Sequence, residues 1–187
     1  MVMPHGFVIP LSREMTITQF HVPIDDTHCY WYALFTSFAG PVDKAMMRAQ
    51  RLETHTLPDY APLANRDNDW GFNAREQLDQ TYTGMGRDIN VHDQWAVESP
   101  GPIVDRTKEH LGYSDRIITA ARRMMFRAID DVAAGRDPPG TTGADKVHGP
   151  ATIDAVGPAT GWEHYWQDQE AKRRQSAPWS AQPLATA

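Results

Sequence analysis

The densest group of polar side chains in the sequence lies at residues 86–99, which read GRDINVHDQWAVES. If this segment is a helix, Asp93 shares one face with three apolar residues, Ile89, Ala96 and Val97. Burying a bare carboxylate is costly, so such a residue must be hydrogen-bonded, ion-paired or bound to a metal. Glu98 lies about 140° around the helix from Asp93 and cannot hold the same ion. Asp93 is therefore a candidate metal ligand or catalytic carboxylate, and a capping or ion-paired structural role is the alternative.

Structural roles explain the other side chains that could take part in catalysis or metal binding. Cys29 lies inside an aromatic segment, which is typical of a buried structural thiol rather than a nucleophile. No two histidines have the spacing of four or five residues that aims two imidazoles of a helix at one metal ion. Asp25 and Asp26 predict a turn, with a calcium site as the alternative. The charged run at 105–112 indicates a solvated connector, the alternative being that Arg106 anchors a carboxylate near the site.

Composition and missing motifs exclude several classes of protein. The 187 residues carry a formal net charge of −6, which disfavours a nucleic-acid partner. A single cysteine excludes an internal disulfide and any Cys-rich metal cluster held by this chain. The Gly84-Met85-Gly86 segment is too short for a phosphate-binding glycine loop, and no Gly-x-Ser-x-Gly elbow occurs. No apolar run could span a membrane and no secretory signal opens the sequence, so we expect a cytoplasmic protein.

Hydrophobic periodicity predicts strands first and helices later. Strands are expected at residues 7–9, 16–22 and 28–38, the last two forming an antiparallel hairpin. The third strand is apolar on both faces and should be covered on both sides. Helices are expected at residues 42–54 and 87–99, and a long amphipathic one runs from an N-cap at Ser114 to a stop at Gly135. This order predicts an α+β fold in which the long C-terminal helix packs on an antiparallel sheet.

The last fifty residues differ in composition from the rest. Residues 137–187 are rich in proline, glycine, threonine and alanine and predict a mostly disordered tail. A short amphipathic piece at residues 162–175 is the exception and is expected to be helical. Residues 57–73 carry two prolines with little periodicity and predict a long loop, of the kind that often borders a site.

Three motifs in order resemble one known family. They are HVPIDDT at 21–27, GRDINVHDQWAVES at 86–99 and GPIVDRTKEHLGYSD at 101–115. Together they resemble the C-terminal catalytic domain of Rieske non-haem iron aromatic-ring-hydroxylating oxygenases, of the phthalate 4,5-dioxygenase type. The resemblance covers residues 5–135 and implies a division into residues 1–136, the C-terminal part of that catalytic domain, and the tail at 137–187.

The resemblance implies a fold and a metal. The fold would be a partial helix-grip, START-like arrangement of an antiparallel sheet around the long C-terminal helix. The metal would be a mononuclear Fe(II) held by two histidines and one carboxylate, with open positions for O₂. The family's carboxylate lies on a late helix and is followed five residues later by a glutamate, as Asp93 is followed by Glu98. By resemblance, Asp93 is the iron ligand.

The family also has parts that this sequence does not contain. Its [2Fe–2S] cluster needs two cysteines and two histidines, and its two iron-binding histidines lie in a segment upstream of the matched motifs. The chain would therefore be one part of an oxygenase α subunit that hydroxylates an aromatic or related substrate with O₂. The resemblance further implies a homotrimer of the complete protein and a reductase that passes on electrons from NAD(P)H. We expect negligible oxygenase activity from the chain alone.

The sequence allows two other interpretations besides the oxygenase. One is a non-catalytic START-like module that binds an apolar ligand, and the other is a non-functional fragment whose sheet is incomplete. In the oxygenase, Trp31 and Phe35 either line the substrate cavity or pack in the core. The chain would be a fragment, half of a split protein or a protein that acts by itself.

Overall fold

The structure is a computed structural model that describes residues 2, 4–140 and 150–180. The chain divides into two units. One, here called the sheet unit, comprises Met1–Val42 and His110–Ala187, and the other, here called the helical unit, comprises Asp43–Glu109. The predicted α+β class is confirmed, since an open three-stranded antiparallel sheet is accompanied by five α-helices in the described residues. None of these helices combines the length and apolar character needed to cross a bilayer.

Three strands form the sheet in the order β1-β2-β3, with β1 at Gly6–Pro10, β2 at Met15–Pro23 and β3 at Cys29–Ser37. Both strand pairs are antiparallel, and Ile17 lies opposite Ile9 on one side and Phe35 on the other. The predicted strands and the hairpin are confirmed. The alternation of apolar and polar residues predicts the position of β2, because successive side chains of a strand point to opposite faces of the sheet.

The prediction that β3 is covered on both sides is wrong for the described residues. Tyr30, Tyr32 and Leu34 are 50%, 53% and 52% exposed on one face, and Cys29 is exposed rather than buried. Burial is concentrated in the central strand, where Thr16, Ile17 and Gln19 lie in the interior. A three-stranded sheet buries its middle strand first, because its edge strands have a neighbour on one side only.

The long helix α4 spans Arg116–Ala133. It begins after Asp115, because a 3-10 turn at Tyr113–Asp115 precedes it, so the predicted N-cap at Ser114 lies inside that turn. Its end agrees with the prediction, since Gly135 takes a left-handed φ of 70° just beyond the last turn. None of its side chains is fully buried, and within the described residues no Cα atom of α4 lies within 8 Å of a strand Cα atom.

Helix α5, at Trp162–Ser176, confirms the helical piece predicted within the tail. Its Arg173 is buried, lies 3.9 Å from the centre of the Phe38 ring and is ion-paired with the buried Glu170. Just beyond the helix, the Trp179 indole donates to the carbonyl of Ser37 at 2.8 Å. These contacts anchor the segment 150–180 to the end of the sheet. Residues 141–149 and 181–187, which were also assigned to the tail, lie outside the described residues.

The helical unit contains three helices joined by capped turns. They are α1 at Lys44–Thr54, α2 at Ala74–Asp79 and α3 at Ile89–Glu98, with 3-10 turns at Arg66–Gly71 and Arg106–Lys108. The helices predicted at 42–54 and 87–99 are confirmed, and α2 and the 3-10 turn at Arg66–Gly71 were not predicted. The core of this unit is small and consists of Trp70, Met85 and Val91, with Ala64 packed against them.

Candidate functional site

Helix α3 carries the residue predicted to bind a metal. The helix begins at Ile89 because the Asp88 carboxylate accepts a hydrogen bond from the Asn90 backbone N–H at 3.0 Å and so caps it. Arg51 of α1 lies 3.7 Å from the same carboxylate. These contacts fix the start of α3 and therefore the direction in which each of its side chains points.

Asp93 lies on the face of α3 that is turned to solvent. Its apolar neighbours on that face are exposed too, Ile89 by 61% and Val97 by 69%, and so is Ala96. The Asp93 carboxylate has no hydrogen bond or ion pair with any residue that the structure describes. The expected burial of this face is therefore wrong for the described residues, because the face is open. An exposed, unpaired carboxylate amid apolar side chains remains available to a ligand.

On the other side of α3, Glu98 is half-buried and contacts the core of the helical unit. The Trp70 indole Nε1 donates to Glu98 Oε2 at 2.8 Å, and Trp70 is only 6% exposed. Arg66 lies 5.5 Å from the centre of the Trp70 ring and also donates to the Glu98 backbone carbonyl. Glu98 is thus a structural anchor on the far side of the helix from Asp93, in agreement with the predicted separation of the two carboxylates.

The backbone that presents Trp70 to Glu98 is unusual. Asp69 and Trp70 both adopt a φ of 51°, in the left-handed region that non-glycine residues rarely occupy. Asn65 caps this turn by accepting a hydrogen bond from the Asp67 backbone N–H at 2.9 Å. Such strained residues persist only where surrounding contacts hold them, and here the contacts are those of the buried indole.

A loop at residues 81–86 is tied to both α2 and α3. The Glu76 carboxylate accepts hydrogen bonds from the Thr81 hydroxyl at 2.6 Å and from the Gly86 backbone N–H at 2.8 Å, which lower the pKa of Glu76. From α3, His92 Nε2 lies 3.0 Å from the Gly86 carbonyl oxygen and 2.9 Å from the Thr83 hydroxyl. His92 therefore fixes the loop, as the structural interpretation of the histidines predicts.

Beside this loop lies a half-open cavity of about 340 Å³. It is lined by three aromatic rings, Phe72, Tyr82 and Trp95, together with Asp69, Gln77, Thr83 and Met85. Trp95 points about 200° around α3 from Asp93, so the cavity and the exposed carboxylate lie on different sides of the helix. This cavity was not predicted from the sequence, although three aromatic residues in otherwise polar segments were its signal.

The remaining candidates have structural roles. Asp25 accepts hydrogen bonds from the backbone N–H groups of Thr27 and His28 at 2.8 and 2.7 Å, which makes it the turn residue predicted. The hydrogen bond from Thr27 is the main reason that the pKa of Asp25 is lowered to about 2. Arg106 is 3.4 Å from Glu109 on an exposed 3-10 turn, which fits the solvated connector.

Two sheet aromatics were predicted either to line a cavity or to pack in the core. The half-buried Trp31 packs on the His21 ring, with ring centres 4.9 Å apart, and Phe35 is half-buried on the same face. Neither lines the cavity of the helical unit.

The implied iron centre does not fit the described residues by themselves. Within residues 2, 4–140 and 150–180, no group of three or more His, Cys, Asp or Glu side chains could hold a metal ion. The histidine next to Asp93 in sequence is His92, whose Nε2 is engaged with the 81–86 loop. Asp93 could therefore contribute one ligand of three, and the described residues do not complete such a set.

Comparison with known proteins finds relatives along nearly the whole chain. The phthalate 4,5-dioxygenase oxygenase subunit of Pseudomonas putida is 29% identical over 182 residues, which cover 91% of this chain and 39% of that protein. The 3-chlorobenzoate-3,4-dioxygenase oxygenase subunit of Comamonas testosteroni is 26% identical over 166 residues, 79% of this chain and 38% of that protein. The chain thus spans about two-fifths of the length of these relatives. A model of the LigXa C-terminal domain-like family matches residues 1–182, so the chain belongs to that family.

Proposed function

We propose that this chain is the C-terminal portion of a Rieske-type oxygenase subunit that hydroxylates an aromatic substrate with O₂ at a mononuclear Fe(II). The observation that carries the proposal is the family match over residues 1–182, together with two relatives that are oxygenase subunits of dioxygenases. The iron would supply the site at which O₂ and substrate meet. The electrons would come from NAD(P)H through a reductase and a [2Fe–2S] cluster held outside this sequence, and the complete protein would be a homotrimer.

In this proposal Asp93 is the carboxylate ligand. It is exposed, unpaired among the described residues and surrounded by the apolar side chains of Ile89, Ala96 and Val97. A carboxylate in such surroundings gains a strong partner only when another segment brings one to it. The two imidazole ligands would come from polypeptide outside this sequence, and that segment would cover the apolar face of α3.

The remaining part of the proposal is that the chain has negligible oxygenase activity alone. One carboxylate on an exposed helix face binds Fe(II) weakly, because the chelation that two further ligands provide is missing. The half-buried Glu98 does not substitute as a second ligand, because its carboxylate accepts a hydrogen bond from Trp70 and lies about 140° around the helix from Asp93.

Anaerobic titration of the purified chain with Fe(II), followed by calorimetry, tests this proposal. We expect no stoichiometric binding at micromolar concentrations and no difference between the wild-type chain and Asp93→Asn. Stoichiometric micromolar binding accompanied by the spectroscopic signature of two imidazole ligands would contradict the claim that the ligand set is incomplete.

A non-catalytic binding module is the second candidate, and the cavity of the helical unit favours it. Its volume of about 340 Å³ is within the range of small-ligand pockets, and Phe72, Tyr82 and Trp95 offer ring surfaces to an apolar molecule. Tight binding of a neutral aromatic ligand by the iron-free chain, lost on Trp95→Ala, would support this candidate. Binding that is weak and unaffected by the substitution would leave the oxygenase as the better proposal.

A further inference from the structure

Three aromatic side chains border the half-open cavity of the helical unit, and their ring surface is accessible. Phe72 and Trp95 are 44% and 43% exposed, and Tyr82 is almost fully exposed. None of the three rings stacks on another ring of the residues that the structure describes. Ring surface at this cavity is therefore available to a bound molecule.

Backbone contacts fix the loop that carries Tyr82 against Phe72. The Asn73 N–H donates to the Gly84 carbonyl at 2.8 Å, and Gly84 has a left-handed φ of 70°. A Cβ atom at Gly84 would lie 2.7 Å from the Asn73 carbonyl oxygen and 3.1 Å from the Phe72 ring. The loop approaches Phe72 this closely because residue 84 is glycine, so this wall of the cavity is set by the fold of the chain.

Asp69 is the only charged side chain that lines the cavity in the described part of the chain. Its carboxylate has no hydrogen bond or ion pair with any described residue. Arg66, which lies in the same 3-10 turn, instead contacts the Trp70 ring and donates to a backbone carbonyl of α3. Glu76, whose pKa is lowered by hydrogen bonds from the 81–86 loop, adds a second negative charge beside that loop. The lining of the cavity therefore carries a negative charge without a positive one.

We propose that this cavity binds a small organic cation of the quaternary or tertiary ammonium class. The face of an aromatic ring carries negative potential and attracts a cation within about 6 Å of the ring centre. The Asp69 carboxylate adds a direct attraction between opposite charges. An anionic ligand such as an aromatic acid would meet Asp69 and no cationic partner, and a neutral ligand would gain nothing from the carboxylate. The cavity and Asp93 lie on different sides of α3, so the inference does not depend on the proposed iron centre.

Titration of the metal-free full chain, followed by NMR, tests the charge of the ligand. The probes are choline, its neutral isostere with tert-butyl in place of trimethylammonium, and benzoate, all at the same ionic strength. We expect choline to bind at least about tenfold more tightly than either of the other two probes. Choline should also shift the indole N–H signal of Trp95, which is assigned by its loss in Trp95→Leu.

Two substitutions separate the contribution of the charge from that of the rings. Asp69→Asn removes the charge, and asparagine tolerates the left-handed φ of 51° at this position. Trp95→Leu removes a ring and keeps an apolar side chain. We expect each to weaken choline binding by at least about threefold and to change binding of the neutral isostere by less than about twofold.

Two further variants serve as controls. Asp67→Asn removes an equal charge from the same turn, but Asp67 does not line the cavity, so choline affinity should change by less than about 1.5-fold. Tyr82→Leu alters a side chain that is 97% exposed, so it leaves the small core of the unit intact. It should weaken choline binding by about twofold or more.

The outcomes separate this inference from the proposed function. Equal affinity for choline and its neutral isostere, or no binding of either, would overturn the inference. Choline binding that is unaffected by both Asp69→Asn and Trp95→Leu would also overturn it, because the cation would then bind elsewhere. Tighter binding of the neutral isostere would overturn it in favour of the neutral-ligand module. None of these results bears on the oxygenase proposal, which the Fe(II) titration tests.

Discussion

Replacing Glu98 by alanine should destabilise the helical unit through Trp70. The Trp70 indole N–H donates to Glu98 Oε2 at 2.8 Å, and the Trp70 side chain is 6% exposed. Glu98→Ala leaves this buried donor without a partner. A hydrogen bond to a charged group contributes about 1.5–3 kcal/mol, and an unsatisfied buried donor costs about 1–3 kcal/mol, which are two estimates of one loss. We therefore expect the free energy of unfolding to fall by about 2 kcal/mol.

Urea unfolding monitored by tryptophan fluorescence measures this loss, and the indole N–H signal of Trp70 in NMR reports the hydrogen bond directly. Glu98→Gln keeps an acceptor oxygen and should retain at least half of the stability. Val97→Ala is the matched control on the same helix, since Val97 is 69% exposed and its truncation should change the free energy of unfolding by less than about 0.5 kcal/mol. If Glu98→Ala behaves like Val97→Ala, the anchoring role assigned to Glu98 is refuted.

Two further predictions concern the sheet unit. The hydrogen bond from the Thr27 N–H is the main cause that lowers the pKa of Asp25 from 3.8 to about 2. Ionised Asp25 therefore stabilises the folded state above about pH 4, and this contribution is lost as the pH falls from about 4 to about 2. An NMR titration should give this pKa, and a value near 4 would contradict the turn. Arg173→Ala removes the guanidinium buried against Phe38 and should lower the free energy of unfolding by about 2–4 kcal/mol in urea. A loss below about 0.5 kcal/mol would show that the C-terminal segment does not stabilise the sheet.

The sequence predicts the elements of this protein better than their packing. The strands of the sheet and helices α1, α3, α4 and α5 follow from periodicity, because amphipathic spacing is a local property of the chain. Periodicity does not say which apolar stripe is buried when a helix has two. Helix α3 carries Ile89, Ala96 and Val97 on one side and Val91 and Trp95 on the other, and only the second side meets the rest of its unit.

The predictions of burial on β3 and α4 fail for a different reason. An apolar strand or stripe indicates that something covers it, but not that the cover lies in the same 187 residues. Tyr32 of β3 and Ile129 of α4, which are 53% and 59% exposed, are available to a cover from elsewhere. The sequence could not predict the Trp70–Glu98 contact either, because a left-handed turn at two non-glycine residues has no propensity signal.

The iron content of the completed protein shows whether Asp93 is a metal ligand. The chain is combined with the preceding portion of the Pseudomonas putida subunit, loaded anaerobically with Fe(II), freed of excess metal and assayed for mononuclear iron. We expect about one such iron per complex with the wild-type chain and almost none with Asp93→Asn, while Glu98→Gln retains the metal. Equal iron in the wild-type and Asp93→Asn complexes would show that Asp93 is not the ligand that this chain contributes.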